Sequence, residues 1–90
     1  PGSVDAAAEK HVPVITVNGA EVTVHVGSVD HPMTEEHLIE WIALETHEGN
    51  QRKLLKAGAA PEVKFMLTEN DKAVAAYAYC NLHGLWKAEA

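Results

Sequence analysis

Val12-Pro13-Val14-Ile15-Thr16-Val17-Asn18-Gly19-Ala20-Glu21-Val22-Thr23-Val24-His25-Val26 is the stretch that decides the fold. Its first half is rich in β-branched residues, which suit a pleated surface better than a helix. Asn18-Gly19 is the dipeptide favoured by type I′ hairpin turns, and residues 21–26 alternate strictly between apolar and polar. A β-hairpin follows. Val22, Val24 and Val26 share one face while Glu21, Thr23 and His25 share the other, so His25 is expected as a solvated surface histidine.

Working outward, residues 1–10 are small and polar with no usable period, and read as a lead-in segment to one domain over residues 11–90. Residues 27–36 form a loop in which Pro32 removes a ladder donor and biases His31 toward extended backbone. Residues 37–46 stay open between a helix capped by Thr34-Glu35-Glu36 and a strand buried on both faces through Ile39, Trp41, Ile42 and Leu44. Glu48-Gly49-Asn50 is a turn, and residues 51–56 are a polar edge strand with Leu54 and Leu55 inward or at its margin. Residues 62–68 set Val63, Phe65 and Leu67 against Glu62, Lys64 and Met66, and Asn70-Asp71 supplies the next turn. Residues 73–80 are also open, since their alanines favour a helix while Val74, Tyr77 and Tyr79 tolerate a strand. Residues 81–86 read as a loop carrying His83 and Gly84. Short strands separated by turns point to a small all-β sandwich.

Ninety residues suffice for one domain with one modest core. Apolar residues at 47% and charged residues at 22% describe a soluble globular chain rather than a disordered one. No apolar run reaches the length of a membrane span and no signal-peptide pattern opens the chain, so a cytoplasmic location is expected. The first residue is Pro1 rather than a methionine, so an upstream portion is expected to have been removed. A formal charge of −6 without a Lys/Arg cluster argues against nucleic acid. It also means that a small anionic substrate needs local positive charge to approach. Cys80 is the only cysteine, which excludes an internal disulfide.

Six histidines in so short a chain is high. Cys80 and His83 stand in the string Tyr79-Cys80-Asn81-Leu82-His83-Gly84, a Cys-x-x-His spacing that lets thiolate and imidazole meet one metal ion across a tight loop. His31 and His37 flank the proline-containing loop; by themselves they read as two surface histidines, but with Cys80 and His83 they form a candidate site. His11 is a further imidazole just after Glu9-Lys10, and His47 lies in the turn Thr46-His47-Glu48-Gly49, where no ligand role is needed.

The strings Val4-Asp5-Ala6-Ala7 with Glu9-Lys10-His11-Val12-Pro13, then Val26-Gly27-Ser28-Val29 with His31-Pro32-Met33, resemble the superoxide reductase family. So do His37 with Ile39-Glu40-Trp41-Ile42 and the run Tyr79-Cys80-Asn81-Leu82-His83-Gly84-Leu85-Trp86-Lys87. That family includes the neelaredoxins and the iron-binding domain of desulfoferrodoxin, and the match runs in order through essentially the whole chain. The resemblance implies an immunoglobulin-like, seven-stranded antiparallel β-sandwich, with both open segments as strands. It implies one mononuclear iron held by four equatorial imidazoles, His11, His31, His37 and His83, and by an axial Cys80 thiolate. Glu9 and Lys10 match the family's glutamate-lysine pair, the lysine drawing superoxide in and the glutamate helping to displace product. The implied reaction is one-electron reduction of superoxide to hydrogen peroxide, with a rubredoxin-like donor restoring the ferrous state and a homo-oligomeric dimer or tetramer as the assembly. Four neutral nitrogens and one sulfur leave a sixth position open, as catalysis requires. Desulfoferrodoxins carry a second iron bound by four cysteines, which a chain with Cys80 alone lacks, so either this is a one-iron member or an upstream portion is missing. Leu38 stands where the family often has an aromatic residue.

Three other readings compete. A structural zinc-binding β-sandwich interaction module would hold a closed, colourless site. Dismutation at the same iron would release dioxygen and need no donor. Nucleophilic catalysis by Cys80 with His83 lacks an orienting third residue.

Overall fold

The computed structural model describes residues 2–90, and side chains from Ala7 onward. Helix α1 (Gly2–His11) is followed by strands β1 (Pro13–Asn18), β2 (Glu21–Val26), β3 (Ile39–Thr46), β4 (Gly49–Leu54), β5 (Glu62–Met66), β6 (Ala73–Cys80) and β7 (Gly84–Glu89). The strands form two antiparallel sheets, ordered β1-β2-β5 and β4-β3-β6-β7. This is the expected seven-stranded sandwich, and both open segments are strands.

The hairpin forms where the sequence places it, with one refinement. Asn18 pairs with Glu21, so the two-residue loop is Gly19-Ala20, and Gly19 alone has positive φ, at 62°. That is the signature of a type II′ turn rather than type I′. Val22, Val24 and Val26 are fully buried and meet Val63 and Phe65 of β5 on one side of the core. Ile39, Ile42 and Leu44 of β3, with Ala76, Ala78 and Cys80 of β6, supply the other side. Alanine's helix preference in β6 is overridden because its small side chains fit between two closely packed sheets, while Tyr77 and Tyr79 take the outer face.

β3 hid its period for a physical reason. Its register against β6 shifts between Ile39 and Trp41, so Glu40 is an extra residue and the inward set jumps from Ile39 to Ile42. Such a bulge bends the strand, and here it lies opposite the end of β6 that carries Cys80.

Three expectations are corrected. Residues 2–10, read as a lead-in without period, are helical: Ala6-Ala7-Ala8-Glu9-Lys10 are good helix formers, and the helix stops at His11 because the residue before Pro13 is driven out of helical backbone. Gly84 to Trp86 belong to β7 rather than to a loop, which shrinks the connection after β6 to residues 81–83. Leu54 is neither inward nor sheltered but exposed at the end of the edge strand, whereas Leu55 packs on the core.

The segment before β1 is held against the sandwich at Gly27. A side chain there would collide with the Glu9 carbonyl oxygen and come within 3.1 Å of the Lys10 and Val12 backbone, so only glycine permits the approach. Val29 N–H donates to the same Glu9 carbonyl at 3.0 Å.

Candidate metal centre

Antiparallel pairing brings four chain segments, carrying five candidate ligands, to one end of the sandwich. Pro13 pairs with Val26, Ile39 with Cys80, and Cys80 with Gly84. His11 therefore enters from the end of α1, His31 and His37 from the loop between β2 and β3, Cys80 from the last position of β6, and His83 from the turn into β7.

The four imidazoles close a ring. Neighbouring centroids are 4.6 Å apart for His11–His31, 4.6 Å for His31–His37, 5.1 Å for His37–His83 and 4.9 Å for His83–His11, with His11–His37 across the ring at 6.3 Å. Adjacent rings stand at 75°, 79°, 68° and 80° to one another, so no two neighbours in the ring stack. Ligand atoms of His11, His37, Cys80 and His83 all lie within 4.8 Å of one another. His31 is outside that tightest set, but its Nε2 lies 3.2 Å from His11 Nε2. Cys80 Sγ approaches from the buried side, 3.7 Å from His83 Nδ1, while His83 is exposed.

For two of the rings, hydrogen bonds fix which nitrogen carries the proton. His11 Nδ1–H donates to the Ala7 carbonyl at 2.7 Å and His31 Nδ1–H to the Pro32 carbonyl at 2.6 Å, because a carbonyl only accepts. The Nε2 lone pairs of these two rings are left toward the centre. His37 Nε2 is buried without any hydrogen-bond partner, an orphaned ring nitrogen that a metal ion would satisfy.

Electrostatics favour the neutral form of His31 and His37. Burial, only partly opposed by the Pro32 carbonyl and reinforced by the three other imidazoles, pushes the His31 pKa down to about 4. His37 is lowered by burial first, then by His83, His11 and Lys10. Neutral imidazole is the form that binds metal. Glu9 and Lys10 are exposed at the end of α1, beside this cluster in sequence.

Two features escaped sequence reasoning. Asn81 accepts from Leu38 N–H at 3.0 Å and donates to the Glu36 carbonyl at 3.0 Å, while its own N–H donates to the Leu38 carbonyl at 3.2 Å. It thus grips both neighbours of His37 from between Cys80 and His83; only its place inside the Cys-x-x-His string hinted at a role. His25, expected as a solvated histidine, is on the outer face but bridges Asp30 Oδ1 at 2.7 Å and Glu62 Oε1 at 3.1 Å. His47 is exposed in the β3–β4 turn, away from the ring, as expected.

The desulfoferrodoxin family model matches residues 3–89 of the chain. Desulfoferrodoxin from Nitratidesulfovibrio vulgaris is 57% identical over 91 residues, covering 99% of this chain and 69% of that protein. The chain thus spans about two thirds of the length of the desulfoferrodoxins it matches. The crystal structure of the superoxide reductase from Treponema pallidum superposes with a TM-score of 0.91 at 55% identity, over 94% of this chain and 70% of that one. The one-iron superoxide reductase of Giardia intestinalis gives a TM-score of 0.77 at 36% identity, over 91% of this chain and 97% of its own. Among the described residues, no helix is long and apolar enough to cross a membrane.

Proposed function

Because this chain belongs to the desulfoferrodoxin family, we infer that its histidine and cysteine cluster is a superoxide reductase centre. The convergence of His11, His37, Cys80 and His83 within 4.8 Å, beside His31, carries the reading. The metal is one iron, with His11, His31, His37 and His83 as nitrogen ligands and Cys80 as sulfur ligand. Four imidazoles and a thiolate are one donor too many for a closed structural zinc site, and such a donor set would suit a redox iron that also takes substrate. When bound, iron supplies the single electron that, with two protons, converts superoxide to hydrogen peroxide, and an external rubredoxin-like donor replaces that electron.

The remaining tasks fall to side chains. Cys80, fully buried at the end of β6, is shielded from water and oxidants and would donate electron density to a bound iron. Hydrogen bonds to the Ala7 and Pro32 carbonyls orient His11 and His31 and fix their tautomers. Lys10 is the local cation that an acidic protein needs to attract an anion, and its field already reaches His37. The exposed Glu9 carboxylate beside it is the group proposed to assist departure of product.

Protein expressed in iron-replete medium should hold close to one iron per chain and show a visible thiolate-to-iron band that vanishes in Cys80→Ser. Superoxide consumption should stop when reductant runs out. Zinc alone in colourless protein, or dioxygen release without a donor, would defeat the reading.

A further inference from the structure

Trp86 touches the metal-site residues at both ends of the chain. Its indole stacks on the His11 imidazole, with ring centroids 4.7 Å apart and planes 22° from parallel. Its Nε1–H donates to the His83 carbonyl at 3.1 Å. The side chain is half-buried on β7, and Ala78 is its cross-strand neighbour on β6.

We propose that Trp86 is a positioning residue which locks the His11 ring against the His83 loop and so sets the geometry of the metal centre. This rests on the superoxide reductase reading above. His11 hangs from the last residue of a helix, tied by one hydrogen bond to Ala7, and that bond alone leaves the ring free to rock about it. His31 and His83 both meet His11 edge to face, at 75° and 80°. Neither lies parallel to it. Trp86 does, with a broad π surface, and offset stacking of aromatic rings holds a plane in place. The indole hydrogen bond takes up the backbone carbonyl of His83, so one side chain couples ligands far apart in sequence, His11 before the first strand and His83 before the last. A phenylalanine would keep the stacking and lose the hydrogen bond, and a leucine would lose both.

Metal affinity and the visible band of iron-loaded wild type, Trp86→Phe and Trp86→Leu test the clamp, with far-UV circular dichroism confirming that each metal-free variant is folded. Outer partners of a metal ligand typically contribute about 10- to 100-fold in affinity. Trp86→Leu should lose metal in that range and shift its band, while Trp86→Phe should recover most of both. A second measurement leaves the contact intact: in Trp41→Phe, where Trp86 is the only tryptophan, adding zinc should change the emission, because the closed-shell ion engages the ring on which the indole stacks. Unchanged affinity and band in Trp86→Leu, equal losses in both Trp86 variants, or unchanged emission on zinc binding would each overturn the clamp. Wild-type protein that binds no metal would instead overturn the reading beneath it.

Discussion

The Nε2 atoms of His11 and His31 face each other at 3.2 Å, each on a ring whose Nδ1 hydrogen already goes to a carbonyl. Two lone pairs at that separation repel unless a cation or a shared proton lies between them. The fold therefore holds these rings in an arrangement that suits the loaded protein better than the metal-free one. Metal binding should raise stability by mass action, by about 2.7 kcal/mol when free metal stands at a hundredfold its Kd. Chelator-treated and reloaded samples compared by calorimetry would check this, and equal melting temperatures would contradict it.

The role proposed for Lys10 is to attract an anion to an acidic chain. Lys10→Glu should slow superoxide consumption at least about tenfold at low ionic strength, since steering of a charged substrate falls with the field at the mouth of the site. Added salt should narrow the gap between wild type and variant. Pulse radiolysis over a salt series reads both effects; a gap that salt leaves unchanged would point to a contact role for Lys10 rather than steering.

Asn81 grips the His37 segment through its side chain at both Leu38 and Glu36. Asn81→Ala strands the Leu38 N–H and the Glu36 carbonyl, and unsatisfied groups of this kind cost about 1–3 kcal/mol each when buried. The Leu38 donor is the more sheltered of the two, so the lower end of that range is expected for metal-free protein in urea unfolding. Asn81→Asp keeps the acceptor and loses the donor, so it should fall between wild type and Asn81→Ala.

The β2 hairpin strand and the alternation in β5 were legible because one face is core and the other water, a contrast that a period of two records directly. β3 and β6 were not, since a bulge breaks the period of one and alanine composition disguises the other. Only family resemblance turned both into strands. The metal cluster was legible as residue types: histidine and cysteine around a loop carry chemistry in their identity. Asn81, Trp86 and the bridge at His25 were not, because each acts on a partner far away in sequence, and nothing in a single chain announces such a pairing.

His25 should give the metal-free protein a pH dependence that its sequence position did not suggest. Burial on its own would lower the pKa, but hydrogen bonds and charge attraction from Asp30 and Glu62 outweigh it and leave His25 above its ordinary 6.5. A proton held more tightly in the folded state stabilises that state fully below the unfolded pKa, and the benefit is lost as pH rises through the folded value. His31 and His37 act with the opposite sign, because their lowered values remove stability as pH falls below 6.5. The limb above about pH 6.5 is therefore the window in which His25 stands apart from the metal-site histidines. Asp30 and Glu62 are both exposed, so water screens the bridge and the loss should be small, roughly 0.5 kcal/mol. Urea midpoints measured in chelator should fall across this limb for wild type and stay level for His25→Gln. Parallel curves for the two proteins would mean that the bridge does not hold in solution.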